Sequence, residues 1–234
     1  MIRTPSIWLQ ALLFLAGLLV GRLLPAQEYY FRNFSGKDGL AQSQVYDLLE
    51  DRRAFIWMGT WGGGLSRYDG SEFRNFTQAQ GLRSNYVLSI CEDEAGDLWI
   101  GTDQGLCSYD GQQFRAWPSP RNLLVYDISR GREQRLWLAT QRGLYYFQDD
   151  SIQSYPTTHP LLGNTYLRCC LADRHGFVWL GGSRGIFVLS PRGNVRHFGI
   201  EEGWNGALPF ELLEDQTGRI WIATEGGGVL CSDG

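Results

Sequence analysis

The stretch LWIGTDQGLCSYDG, residues 98–111, decides the fold, because the rest of the chain repeats its grammar. A tryptophan between aliphatic residues leads to Gly-Thr, a short polar break, Gly-Leu, an aromatic residue and Asp-Gly. WMGT begins at Trp57, WIGT at Trp99, WLAT at Trp137, WLGG at Trp179 and WIAT at Trp221, at intervals of 42, 38, 42 and 42 residues. Seven or eight residues after each tryptophan stands an aliphatic side chain preceded by glycine: Leu65, Leu106, Leu144, Ile186 and Val229. Five copies in phase define a repeat architecture.

Each unit divides into four short runs. The first, such as VYDLLED or VLSICED, is apolar along most of its length, as suits a strand covered on both faces. The tryptophan run follows, then a run such as GLSRYDG, then an amphipathic run such as EFRNF, QFRAW or VRHF. Four runs joined by Gly and Asp turns describe β-propeller blades. Composition agrees: 14% aromatic residues and 30 glycines against 20% charged residues suit pleated surfaces and tight turns. The expected fold is all-β, a propeller of five repeats at about 29–70, 71–111, 112–150, 151–193 and 194–234.

Asp51, Asp93, Asp173 and Asp215 stand six residues before their tryptophans, and Gly96, Gly176 and Gly218 follow the last three of them at the third position. An aspartate that bonds the backbone two residues on, with a glycine for positive φ, closes a hairpin. The alternating oxygen ligands of a calcium loop are absent, so these aspartates read as structural. The cysteines (Cys91, Cys107, Cys169, Cys170, Cys231) lack Cys-x-x-Cys spacing and the histidines are scattered, which gives a zinc site no support. They read as buried thiols, with a disulfide between neighbouring strands left open.

Residues 1–26 differ from the rest. Arg3 precedes the apolar run Ile7–Gly21, and Leu24-Pro25-Ala26 ends on a small residue. That run is shorter than a membrane span and reads as a signal peptide with an exported domain from residue 27, periplasmic or extracellular; an uncleaved anchor is the alternative. Losing Arg3 and Arg22 with this segment makes the chain more acidic than its formal charge of −4. No basic stripe remains, which argues against nucleic acid as a partner.

D-x-x-G-x-[LIV]-W-[LIV]-G-T, followed by G-[LI] and Y-D-G, with DGL (38–40) and QGL (80–82) opening the first two units, resembles the two-component regulator propeller repeat over residues 29–234. The resemblance implies blades of a seven-bladed propeller in the periplasmic half of a hybrid sensor kinase, with kinase or other output domains downstream. The third unit departs from the pattern: Gly131 replaces the turn aspartate, and PSPRNLL replaces the Gly-Leu opening. Two arrangements fit. Five blades close on themselves when YYFRNF (29–34) supplies the fourth strand of the last blade and removes an open edge. Alternatively, the chain is a piece of a larger propeller, which the family's usual length favours.

Function is expected on the variable loops of one face, 35–44, 77–85, 118–122, 156–165 and 199–207, together with the tips between second and third runs. Trp61 and Trp204 are aromatics that the repeat does not require, and Arg83, Asn85, Arg142, Arg184 and Asn205 accompany them. Aromatic faces beside planar polar groups suit a carbohydrate or other polar ligand; packing against neighbouring loops is the plainer reading of the two tryptophans. One inner-strand register carries Asp47, Ser89, Asp127, Cys169 and Glu211. The carboxylates Asp47, Asp127 and Glu211 would line the central channel, and a glycoside hydrolase needs such a pair, but the flanking motifs of those enzymes are missing. The sequence thus reads as a sensory binding propeller without chemistry, cofactor or metal, with a secreted scaffold as the alternative.

Overall fold

Short turns between the four runs of a unit leave antiparallel pairing with the next strand as the available topology. The computed structural model describes residues 30–120 and 123–232; the expected signal peptide lies outside them. Blade 1 contains β1 (Val45–Glu50), β2 (Ile56–Thr60), β3 (Gly64–Tyr68) and β4 (Phe73–Phe76). Blade 2 contains β5 (Val87–Glu92), β6 (Leu98–Thr102), β7 (Gly105–Tyr109) and β8 (Phe114–Ala116). In blade 3 these are β9 (Val125–Arg130), β10 (Leu136–Thr140), β11 (Gly143–Gln148) and β12 (Ser151–Ser154). Blade 4 has β13 (Leu167–Ala172), β14 (Val178–Gly182), β15 (Gly185–Leu189) and β16 (Val195–Phe198). Blade 5 has β17 (Leu208–Glu214), β18 (Ile220–Glu225) and β19 (Gly228–Ser232). Strand order within every sheet follows the sequence, so the fold is a five-bladed β-propeller.

The motif residues explain themselves in the hairpins. Asp93 Oδ1 accepts the backbone N–H groups of Ala95, Gly96 and Asp97, while Oδ2 accepts the indole N–H of Trp99 at 2.8 Å. Asp51, Asp173 and Asp215 hold Trp57, Trp179 and Trp221 in the same way. One carboxylate therefore closes the turn and fixes the rotamer of the ring that packs between blades. The threonine of Gly-Thr has a matching role at the opposite end. Thr60, Thr102, Thr140 and Thr224 donate from Oγ1 to the carbonyl of the glycine that opens the third strand. That glycine is required: at Gly64, with φ +87°, a Cβ would sit 2.2 Å from the Phe76 carbonyl oxygen.

The apolar cores lie between blades. Trp57, Leu65 and Phe76 of blade 1 pack on Val87, Ile90 and Ile100 of blade 2. The pattern repeats from blade 2 to blade 3 around Trp99 and Ile128, from 3 to 4 around Trp137 and Cys170, and from 4 to 5 around Trp179 and Leu212. Every blade thus has a trailing face, led by its tryptophan, and the leading faces of blades 2 to 5 pack under the preceding tryptophan. None of the five cysteines is bonded, and Cys107, Cys169 and Cys170 are buried.

The run expected to supply a fourth strand, YYFRNF, forms none among its described residues. Residues 30–34 belong to no strand, and the last sheet has three strands, β17-β18-β19. The Phe34 ring packs instead against Tyr68 and Phe73 of blade 1, with centroids 5.0 and 5.5 Å away. Inner strands of successive blades lie side by side from β1 to β17, but β17 and β1 make no comparable contact. The trailing face of blade 5 is consequently uncovered: Trp221 is 36% exposed where Trp57 is 2% exposed.

Candidate functional site

Each inner strand carries a β-bulge at the same place. Register shifts fall between Val45 and Asp47, Val87 and Ser89, Val125 and Asp127, Leu167 and Cys169, and Pro209 and Glu211. A bulge adds one residue to its strand and re-aims its side chain. The added residues are Tyr46, Leu88, Tyr126, Arg168 and Phe210, and all five line a central cavity of 220 Å³. Sequence reading missed this collar.

The collar joins aromatic side chains from the loops. Trp61 stacks on Tyr46 (5.1 Å, 24°) and meets Tyr86 edge-on (4.9 Å, 75°). Tyr126 meets Tyr166 edge-on at 4.9 Å, and the Arg168 guanidinium lies 5.3 Å from the Tyr126 ring and 4.5 Å from the Phe210 ring. Burial and the hydrogen bond that it donates to Tyr166 push the Tyr126 hydroxyl up to about 12. Trp61 keeps 39% of its surface exposed, while its backbone is fixed to Gln44 and bridged to Tyr86. The result is a rigid aromatic surface beside the channel mouth.

Below the collar, the carboxylates expected in the channel are present, but two of them are engaged. Asp47 accepts the N–H of Leu48 and, across the blade boundary, that of Ile90 at 2.6 Å. Asp127 accepts those of Ile128 and Cys170, both at 2.7 Å. They act as staples between blades. Burial pushes Asp127 up to about 7, with Glu211 and Asp47 adding repulsion; Asp47 and Glu211 are raised too, chiefly by burial. Ser89 occupies the staple register of blade 2, and its buried hydroxyl finds no protein partner. A serine side chain is too short for the reach that aspartate makes.

The remaining predicted residues divide. Trp204 is a correction: it is 9% exposed, belongs to the blade 4–5 core, and donates its indole N–H to the Ala207 carbonyl. The reason is register. Short 3₁₀ turns at Gly36–Asp38, Gln78–Gln80 and Ile200–Glu202 each end in a left-handed glycine. The next residue, Leu40, Leu82 or Trp204, is buried each time, so EGW is the fifth unit's version of DGL. Arg83 is committed to bracing: Nε donates to the Gln104 carbonyl and Nη1 to the Trp117 carbonyl. Asn85 takes the Gln78 N–H on its side chain and the N–H groups of Gly62 and Gly64 on its carbonyl. Asn205 is exposed but spans Gly227 and Ala207. Arg142 and Arg184 are exposed at the tips of blades 3 and 4. The structure therefore groups Trp61 and Asn85 at one loop junction and does not gather the predicted set into one site.

A larger cavity of 650 Å³ opens on the opposite face between blades 2 and 3, over Trp99 and Trp117. Its origin is local. Gly131 stands where the other units have aspartate, and Glu94 and Arg130 stand where the boundaries of blades 1–2 and 4–5 carry an arginine and a glutamate. Among the described residues, no group of His, Cys, Asp and Glu is arranged to hold a metal ion. Nor is any described helix long and apolar enough to cross a membrane.

The structure is similar to the extracellular domain of a putative hybrid two-component system of B. thetaiotaomicron, with TM-score 0.71 and 24% identity over 82% of this chain and 27% of that one. The extracellular domain of a putative one-component system of the same organism gives 0.69 and 22%, over 88% of this chain and 28% of that one. A virginiamycin B lyase from Staphylococcus aureus gives 0.66 and 15%, over 89% and 74%. The chain thus spans 27% and 28% of the two extracellular domains it matches. No curated protein matches it. Residues 81–104 match the model of the two component regulator propeller family. One copy of the two component regulator propeller repeat is thus matched, at residues 81–104.

Proposed function

We propose that this chain is the exported, ligand-binding portion of a sensory propeller protein, with signal output carried by kinase or other domains of a longer polypeptide. The ligand is a carbohydrate or another polar molecule with an apolar face, held over the aromatic surface at the channel mouth. One observation carries this reading: Trp61 is exposed yet fixed between Tyr46 and Tyr86. A preordered aromatic face binds with little loss of side-chain freedom, and stacking on a sugar ring leaves the hydroxyl groups to polar neighbours. The chain has no chemistry of its own in this reading, since Asp47 and Asp127 already serve two backbone donors each. A longer polypeptide agrees with the uncovered faces of blades 1 and 5, which a self-closed scaffold would bury.

The test is a glycan array followed by titration calorimetry with the chain and its Trp61→Ala and Tyr46→Ala variants. Binding that both variants abolish, while their circular dichroism is unchanged, is the expected result. Binding untouched by both substitutions would overturn the assignment of the site.

A further inference from the structure

We propose that the leading face of blade 1 takes a further blade of this repeat, one that carries an arginine directly after its turn aspartate, and that blade 5 is not this neighbour. The inference rests on the reading of a longer polypeptide, which would supply that blade.

The molecule shows the junction twice in its occupied form. Arg52, directly after the turn aspartate of blade 1, reaches blade 2: Nε meets Glu92 Oε1 at 2.9 Å and Nη1 donates to the Glu94 carbonyl at 2.9 Å. Its Nη2 donates to the Asp93 carbonyl, and its backbone N–H to Glu92 Oε2 at 3.1 Å. Arg174 of blade 4 does the same on blade 5, pairing with Glu214 and bonding the carbonyls of Asp215 and Gln216. Each receptor is a glutamate just before the turn aspartate, followed by two backbone carbonyls that point at the arriving guanidinium. Planar multidentate recognition of this kind selects arginine over other donors.

Where the receptor glutamate is replaced, the pattern weakens accordingly. Blade 4 has Ala172 at that position, and Arg132 of blade 3 reaches only the Arg174 carbonyl, at 3.2 Å. Blade 3 has Arg130 there, facing Glu94 in the donor position of blade 2, and the large cavity opens at that boundary.

Blade 1 carries the full receptor. Glu50 precedes Asp51 as Glu92 precedes Asp93, and it is exposed where Glu92 and Glu214 are half-buried. Beside it Leu48 is 64% exposed, although its counterparts Ile90, Ile128, Cys170 and Leu212 are all buried under a preceding tryptophan. Apolar and polar halves of the junction are thus both present and both unfilled. Blade 5 does not match this receptor, because Gln216 stands where the donor arginine is required. A glutamine lacks the charge and the fork that engage a carboxylate and two carbonyls together.

The experiment has two arms. In the first, Glu50→Cys and Gln216→Cys are combined in the full chain and oxidised. No intramolecular disulfide is expected; efficient formation in the monomer would mean that blades 5 and 1 meet, overturning both this inference and the longer-propeller reading. In the second arm, residues 112–193 are duplicated after Gly234, so that the copied blade 4 presents its arginine to blade 1. Glu50→Gln should lower the melting temperature of the extended monomer and leave that of the parent chain unchanged. Replacing the copied arginine by glutamine should erase the difference. An extended chain that melts alike with and without Glu50→Gln, or that does not fold as a monomer, would overturn the arginine junction. Glycan binding is not read in either arm, so its failure would stand apart.

Discussion

Asp127 Oδ2 accepts the backbone N–H of Cys170 at 2.7 Å, and this bond, with that from the Ala172 N–H to Ser129 Oγ at 2.8 Å, ties the inner strand of blade 3 to that of blade 4. The carboxyl group is buried, and burial holds its pKa at about 7 against an ordinary 3.8. A folded state that raises the pKa of an acid binds its proton more tightly than the unfolded chain does. Its contribution is fully present below the unfolded value and is lost as pH rises through the folded one. Urea midpoints should therefore fall between pH 3.8 and about 7, with a slope of up to about 1.4 kcal/mol per pH unit for one proton. Asp47 and Glu211 act in the same direction. Asp127→Asn should flatten the slope while lowering stability throughout, since one amide oxygen replaces two carboxylate oxygens. An unchanged slope in that variant would remove Asp127 as the cause.

The turn aspartates give a second prediction, with an internal comparison. Asp93→Ala strips three backbone N–H groups and the Trp99 indole of their acceptor, and should cost about 2–4 kcal/mol. Blade 3 has adapted to glycine: a Cβ at Gly131 would lie 2.6 Å from Trp137 Nε1. Gly131→Ala should thus be destabilising, and Gly131→Asp less so, because its carboxylate offers the displaced indole a partner. In blade 1, Ala54 holds φ +62° where the turns of blades 2, 4 and 5 have Gly96, Gly176 and Gly218. Ala54→Gly should raise stability by about 0.5–1 kcal/mol by relieving a left-handed alanine. Thermal melts of the four variants check the series.

Trp61 and Trp204 were equivalent in the sequence and are opposites in the structure. Trp204→Ala removes a core ring and should cost about 3–5 kcal/mol. Trp61→Ala should cost under about 1.5 kcal/mol, the scale of its aromatic contacts, and its main effect should fall on ligand binding. Equal losses of stability would contradict the division between core and site.

The difference between these tryptophans shows what was legible. Strand positions could be read because every unit sets its tryptophan, Gly-Thr and Gly-aliphatic pair in one register, and because Asp51 and its counterparts close turns by local bonds. Trp204 was misread because a tryptophan fills the position that Leu40 and Leu82 define, and the shared glycine before it, Gly203, is the only local mark. The collar was illegible for a topological reason. Alternation along a strand predicts which side chains share a face, but the bulge at Tyr46, Tyr126 and Phe210 breaks that count in each inner strand. A search for the residues immediately before Asp47, Ser89, Asp127, Cys169 and Glu211 would have found three aromatics, Leu88 and Arg168. The blade clamp escaped because Arg52 and Glu92 are 40 residues apart, and only the fold makes them neighbours.

Cysteine reactivity tests the blade faces most directly. Thiol attack requires access and thiolate, and burial denies both. Cys107, Cys169 and Cys170 are buried, and burial pushes the Cys107 thiol up to about 11. Cys91 is half-buried and likewise raised to about 11. Cys231 is exposed because it pairs with Trp221 on the uncovered face of blade 5. Labelling with an aromatic disulfide reagent should therefore modify Cys231 first and Cys91 slowly, with the other three reacting only after denaturation. In the chain extended by two blades, Cys231 should become slow as well, since its counterparts Ser108, Tyr146 and Val188 sit at covered boundaries. Rapid labelling of Cys231 in that extended chain would mean that the added blades do not seat on the face of Trp221.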